Sequence, residues 1–105
     1  MGEEVKLALK VDDKDNVATV FANDVTDGTE VEIRDKRGQM TPIRVIGDVP
    51  YGHKIAVCPI KKGDVITKYG EEIGQAMADI QKGEYVHVHN LAALRGRGDL
   101  EGGKQ

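Results

Sequence analysis

One eight-residue frame occurs four times along this chain and limits the possible folds more than any other feature. It reads Asp or Pro, then Val or Ile, two variable residues, Gly, two more variable residues, and Val or Ile. The copies are DVTDGTEV (Asp24 to Val31), DVPYGHKI (Asp48 to Ile55), PIKKGDVI (Pro59 to Ile66) and DIQKGEYV (Asp79 to Val86). In each, an apolar residue closes one segment, a short polar turn places Gly where positive φ is needed, and an apolar residue opens the next segment. Gly28, Gly52, Gly63 and Gly83 are therefore expected to be turn glycines. A glycine-rich phosphate cradle does not fit, because these glycines lie far apart and no helix start follows them. The copies begin 24, 11 and 20 residues apart, which excludes a stacked solenoid of fixed period.

The segments between the frames read as short strands. With 12 Val and 8 Ile against 5 Leu, the aliphatic content favours a pleated sheet. VKLALKV alternates, placing Val5, Leu7, Leu9 and Val11 on one face and Lys6, Ala8 and Lys10 on the other. DDKDN turns the chain into NVATVFA, a first hairpin. VEIRD, the turn KRGQ and the returning IRVIG make a second, with Pro42 and Pro50 outside the apolar centres. HKIAVC and DVITKY continue the pattern, and Cys58 is expected to be a buried, inert thiol in an apolar strand. EEIGQAMADI also fits helical spacing through Ile73, Met77 and Ile80, but Gly74 weakens a helix and the frame context favours strand. A chain of 105 residues has room for one core, so residues 1–91 are read as one domain and residues 92–105 as a mobile Gly- and Arg-rich tail.

Bulk properties narrow the function. A net charge of −3, 4% aromatic residues and no Trp argue against nucleic acid and anionic membrane partners. No apolar run reaches spanning length, no signal peptide is evident and a single Cys permits no internal disulfide, so a cytoplasmic location is expected. Chemistry concentrates in VHVHN, Val86 to Asn90. In an extended chain His87 and His89 share one face, with roots roughly 6–7 Å apart, where they can converge on one ion or one anionic substrate or simply form the polar face of a half-exposed strand.

GHKIA (Gly52 to Ala56), KYG (Lys68 to Gly70), Ile73-Gly74, Asp79-Ile80 and VHVHN, in this order and spacing, resemble the SAF domain of the altronate and galactarate dehydratase family. The same domain occurs as the separate small subunit of sulfolactate sulfo-lyase. The resemblance implies a β-clip, a long hairpin folded over on itself with added short strands. It also implies a small subunit of a two-subunit carbon–oxygen or carbon–sulfur lyase, inactive as an isolated chain. Such a subunit works with a large catalytic subunit on a small hydroxy-acid or sulfonate substrate, usually with a divalent metal such as iron.

Elimination from a hydroxy acid needs a base for the proton beside the carboxylate, a cationic group for the enediolate, and an acid for the leaving group. His87 and His89 are the candidate acid/base residues. With His53 they are alternatively the candidate metal ligands. Lys54, Lys68, Asn90, Arg95 and Arg97 are the candidate substrate-binding residues, the two guanidinium forks suiting a carboxylate or sulfonate. Asp79 is a candidate base whose place in the frame favours a structural role. The competing reading is a non-catalytic β-clip module that binds a ligand or positions a partner enzyme, with the histidines incidental.

Overall fold

The computed structural model describes residues 6–93. These form nine strands and no helix: β1 (Leu7–Leu9), β2 (Val17–Val20), β3 (Glu30–Arg34), β4 (Met40–Arg44), β5 (Lys54–Ala56), β6 (Val65–Lys68), β7 (Glu71–Ala76), β8 (Tyr85–Val86) and β9 (Leu91–Ala93). One sheet runs β4-β3-β1-β2-β5-β8, and a second runs β6-β7-β9. The fold is mainly β, as expected, and EEIGQAMADI supplies β7.

Local chemistry closes both expected hairpins. Between β1 and β2, the Asp12 carboxylate accepts the Lys14 amide at 2.9 Å and the Asp15 carboxylate accepts the Asp12 amide at 3.0 Å. Between β3 and β4, one oxygen of Asp35 accepts the amides of Arg37 and Gln39, and Gly38 takes φ 86°. Short polar side chains thus satisfy the turn amides that no strand neighbour reaches.

The four frames do more than turn the chain. Gly28, Gly52, Gly63 and Gly83 have φ between 84° and 93°. The first apolar residues pair across copies, Val25 with Val49 and Ile60 with Ile80. The glycine amides follow the same exchange. Gly28 donates to Val45 and Gly52 to Val20, each strand leading into the other copy, while Gly63 donates to Ala76 and Gly83 to Ala56. Asp48 accepts the amide of Asp27 at 3.0 Å, and Asp79, its equivalent, accepts the amide of Lys62 at 2.9 Å. The first and second copies therefore clasp each other, as do the third and fourth.

Each clasped pair builds its own apolar cluster. Val25, Val31, Val49 and Ile55 belong to one cluster with Ala8, Val20, Ile33 and Ile43, while Ile60, Ile66, Ile80 and Val86 belong to another with Val17, Ala56, Ala76 and Leu91. The buried apolar residues thus fall into two clusters. β2 and β5 join them, because alternate residues on these strands face opposite ways. The register pair Ala18 and Ile55 enters the first cluster, and the pair Val17 and Ala56 enters the second.

Several sequence expectations are corrected. Ala8 is fully buried and Val11 is exposed, so the inward face of β1 is the one carrying the small residue. β1 lies between β2 and β3, where Ala8 fits against the first cluster. Pro42 stands inside β4, opposite Glu32, and is tolerated because β4 is the edge of the sheet and loses no ladder bond. β5 ends at Ala56, and Cys58 sits in a bend as an exposed free thiol, not a buried one. Ala92 and Ala93, assigned to the tail, belong to β9. Residues 1–5, including Val5, and residues 94–105, including Arg95 and Arg97, lie outside the described residues.

Candidate functional site

β5 and β8 bring the second and fourth frames together, with Lys54 opposite Val86 and Ile55 opposite Tyr85. His53 precedes β5 and His87 follows β8, so this antiparallel pairing sets the two histidines side by side. Their ring centroids are 4.7 Å apart. No reading of either segment alone predicts this, because His53 and His87 are joined only by the strand pairing.

VHVHN is not an extended strand. β8 stops at Val86, and His87 to Asn90 form a tight turn in which the amides of Asn90 and Leu91 both donate to the His87 carbonyl, at 3.0 and 2.9 Å. The buried Asn90 side chain causes the reversal. Its Oδ1 accepts the His87 amide at 2.9 Å and its Nδ2 donates to the Tyr85 carbonyl at 3.0 Å. An Asn that bonds nearby backbone in this way competes with the ladder and wins at the end of a two-residue strand. The alternating-face argument for His87 and His89 therefore fails, and Val88, between them, is 71% exposed at the turn. Asn90 holds the turn, with both ends of its side-chain amide bonded to backbone.

Tyr85 draws the three histidines together, a role the sequence reading missed. Its hydroxyl lies 2.9 Å from His53 Nδ1. Its ring lies nearly parallel to that of His87, at 6° and 5.7 Å, and 5.3 Å from that of His89. Tyr85 occupies the seventh position of its frame, held elsewhere by Glu30, Lys54 and Val65. Its being the one aromatic residue at that position is the signal available in the sequence, hidden because the frame reads as scaffold.

Lys54, which follows His53 and opens β5, is half-buried beside Thr19, its register partner on β2. Burial and then the charge of Lys68 hold the Lys54 ammonium below the usual lysine range. The Lys68 ammonium also lies 4.9 Å from the centre of the Tyr69 ring. The structure thus brings the two predicted lysines within electrostatic reach of each other. His87 is held below the usual imidazole range, first by burial and then by His53, Lys54 and His89. A neutral imidazole with a free lone pair can act as a base. Asp79 has the structural role described above.

Among the described residues, no three His, Cys, Asp or Glu side chains are placed to hold a metal ion together. His53 already directs Nδ1 to Tyr85, and His87 and His89 pack on the Tyr85 ring instead of converging with it. The residues of this chain alone do not fit a three-histidine metal site. No helix among the described residues is long and apolar enough to cross a membrane.

Residues 6–94 match the altronate/galactarate dehydratase SAF domain. Over 82 residues the chain is 42% identical to altronate dehydratase of Escherichia coli (strain K12), an alignment covering 78% of this chain and 15% of that protein. It is 36% identical over 78 residues to galactarate dehydratase (L-threo-forming) of the same organism, covering 74% of this chain and 14% of that one. It is also 44% identical over 48 residues to the (2R)-sulfolactate sulfo-lyase subunit alpha of Paracoccus pantotrophus, covering 46% of this chain and 72% of that subunit. The chain therefore matches a small part of the dehydratases and most of a separate lyase subunit.

Proposed function

Since this chain belongs to the altronate/galactarate dehydratase SAF domain family, we propose that it is the small part of a lyase whose larger part completes the active site. The substrate class is a small hydroxy acid, losing water, or its sulfonate counterpart, losing sulfite. The observation that carries this reading is the meeting of His53, His87 and His89 around Tyr85, beside a half-buried lysine, at the seam between the two halves of the fold.

His87 is the candidate base. Held neutral, its lone pair takes the proton from the carbon beside the carboxylate, and the electron pair left behind expels the leaving group. Lys54 and Lys68 offer positive charge to the carboxylate as it becomes an enediolate. The protonated acid for the leaving group and the walls that exclude water come from the larger part. A divalent ion such as iron, the cofactor the resemblance implies, would need ligands from that part too.

The experiment is to purify the chain with its larger partner and compare turnover with His87→Ala and His89→Ala. Loss of turnover in the His87 variant, with assembly kept, supports the reading. Unchanged turnover in both variants returns the domain to a non-catalytic positioning module.

A further inference from the structure

We infer that Tyr85 fixes His53 in a single tautomer, with Nε2–H directed outward as a donor to an anionic oxygen of the substrate. The assignment of that donor to substrate rests on the function proposed above, while the hold of Tyr85 on His53 stands on geometry alone. The Tyr85 hydroxyl and His53 Nδ1 are 2.9 Å apart, a good hydrogen-bond length. Two arrangements satisfy it, O–H donating to Nδ1 or Nδ1–H donating to the phenol oxygen. A phenol is the stronger donor and an imidazole nitrogen the stronger acceptor, so the first is favoured. The ring proton then resides on Nε2.

The surroundings act in the same direction. Among the described residues the one ion pair joins Arg37 and Asp13, so no carboxylate there is paired with His53 in place of Tyr85. The backbone that carries the ring is also held, since the His53 amide donates to Pro50 and its carbonyl accepts from Val20. Tyr85 in turn is fixed by its pairing with Ile55 and by the Asn90 bond to its carbonyl. The donor is therefore preorganised before any ligand arrives, the arrangement that oriented binding of an anion requires.

Two consequences separate His53 from its neighbours. With Nδ1 occupied and Nε2 protonated, His53 offers no lone pair to a metal ion, in keeping with the lack of a three-donor set among the described residues. It also divides the cluster into a donor, His53, and a base, His87. Tyr85 is a positioning residue, since it acts on substrate through His53.

The test is imidazole nitrogen NMR of the full chain at neutral pH, for the natural sequence and Tyr85→Phe, which keeps the ring and removes only the hydroxyl. The expected result is one His53 tautomer protonated at Nε2 in the natural chain, and a mixture in Tyr85→Phe at an unchanged melting temperature. A tautomer mixture in the natural chain, or identical His53 signals in both, overturns the inference, and the first of these decides the matter even where the variant does not fold. In the assembled enzyme Tyr85→Phe is expected to raise KM about tenfold with kcat nearly kept, the pattern of lost ground-state binding. A fall in kcat at constant KM overturns the donor role. A changed tautomer with unchanged kinetics keeps the hold of Tyr85 on His53 and instead removes the cluster from the active site.

Discussion

Single residues carry very different weights in this fold even where the sequence makes them equivalent. Gly63 and Gly83 occupy the same frame position with nearly the same φ, 93° and 89°. A Cβ at Gly63 meets open space, whereas at Gly83 it falls inside the carbonyl oxygen of Arg44. Gly63→Ala is therefore expected to cost about 1–2 kcal/mol, the left-handed penalty alone. Gly83→Ala should cost at least about twice that, because the backbone bridge between β4 and the fourth frame must open. Denaturant unfolding of the two variants measures the difference. His87 gives a pH signature of opposite origin. Its folded pKa is depressed, so once unfolded it returns towards 6.5 and binds protons more readily. Its stabilising contribution is complete above pH 6.5 and is lost as pH falls through the folded value. Burial, and then His53, Lys54 and His89, set the size of this loss. The expected outcome is that His87→Gln flattens the decline in stability between pH 7 and acid, seen as a smaller fall in melting temperature.

At the scale of elements, the repeated frame was legible because it rests on local rules: positive φ for glycine, short polar side chains for turn amides, apolar residues at strand ends. The partnership of the copies was not, since pairing Val25 with Val49 and Ile60 with Ile80 depends on which chain segments meet. Equivalence between the two clasps has a measurable consequence. Asp48 and Asp79 each accept one amide from the partner copy, so Asp48→Ala and Asp79→Ala should destabilise by similar amounts, about 1 kcal/mol each. Thermal melts in which one variant loses several times more than the other would count against equivalence. The candidate site was legible only in part. His53, His87 and His89 were named from sequence and do meet, but for a reason the sequence hid. Alternation in VHVHN was a faulty guide because the Asn90 amide folds those residues into a turn. Tyr85 went unnoticed because a residue inside a structural repeat can also serve a site. The burial of Cys58 was misjudged because apolar neighbours do not reveal where a strand stops.

For the whole molecule, two clusters joined by β2 and β5 place the histidines at the seam, on a surface instead of inside an enclosed cavity. The exposed Val88 stands on the same turn as His87 and His89, and exposed Tyr51, two residues before His53, pairs edge-to-face with exposed Phe21. Apolar residues so close to a polar cluster suit a covering partner, and the related altronate dehydratase is a chain of which this domain matches only 15%. Val88→Asp is accordingly expected to leave the melting temperature of the isolated chain unchanged and to weaken its assembly with the larger part, read by co-purification. The proposed role of this surface is to supply proton chemistry to a shared active site. Its most direct measurement is hydroxy-acid turnover by the assembled enzyme carrying His87→Gln, with assembly verified in the same preparation. Turnover lowered by at least about a hundredfold is expected. Turnover equal to that of the natural complex would contradict it.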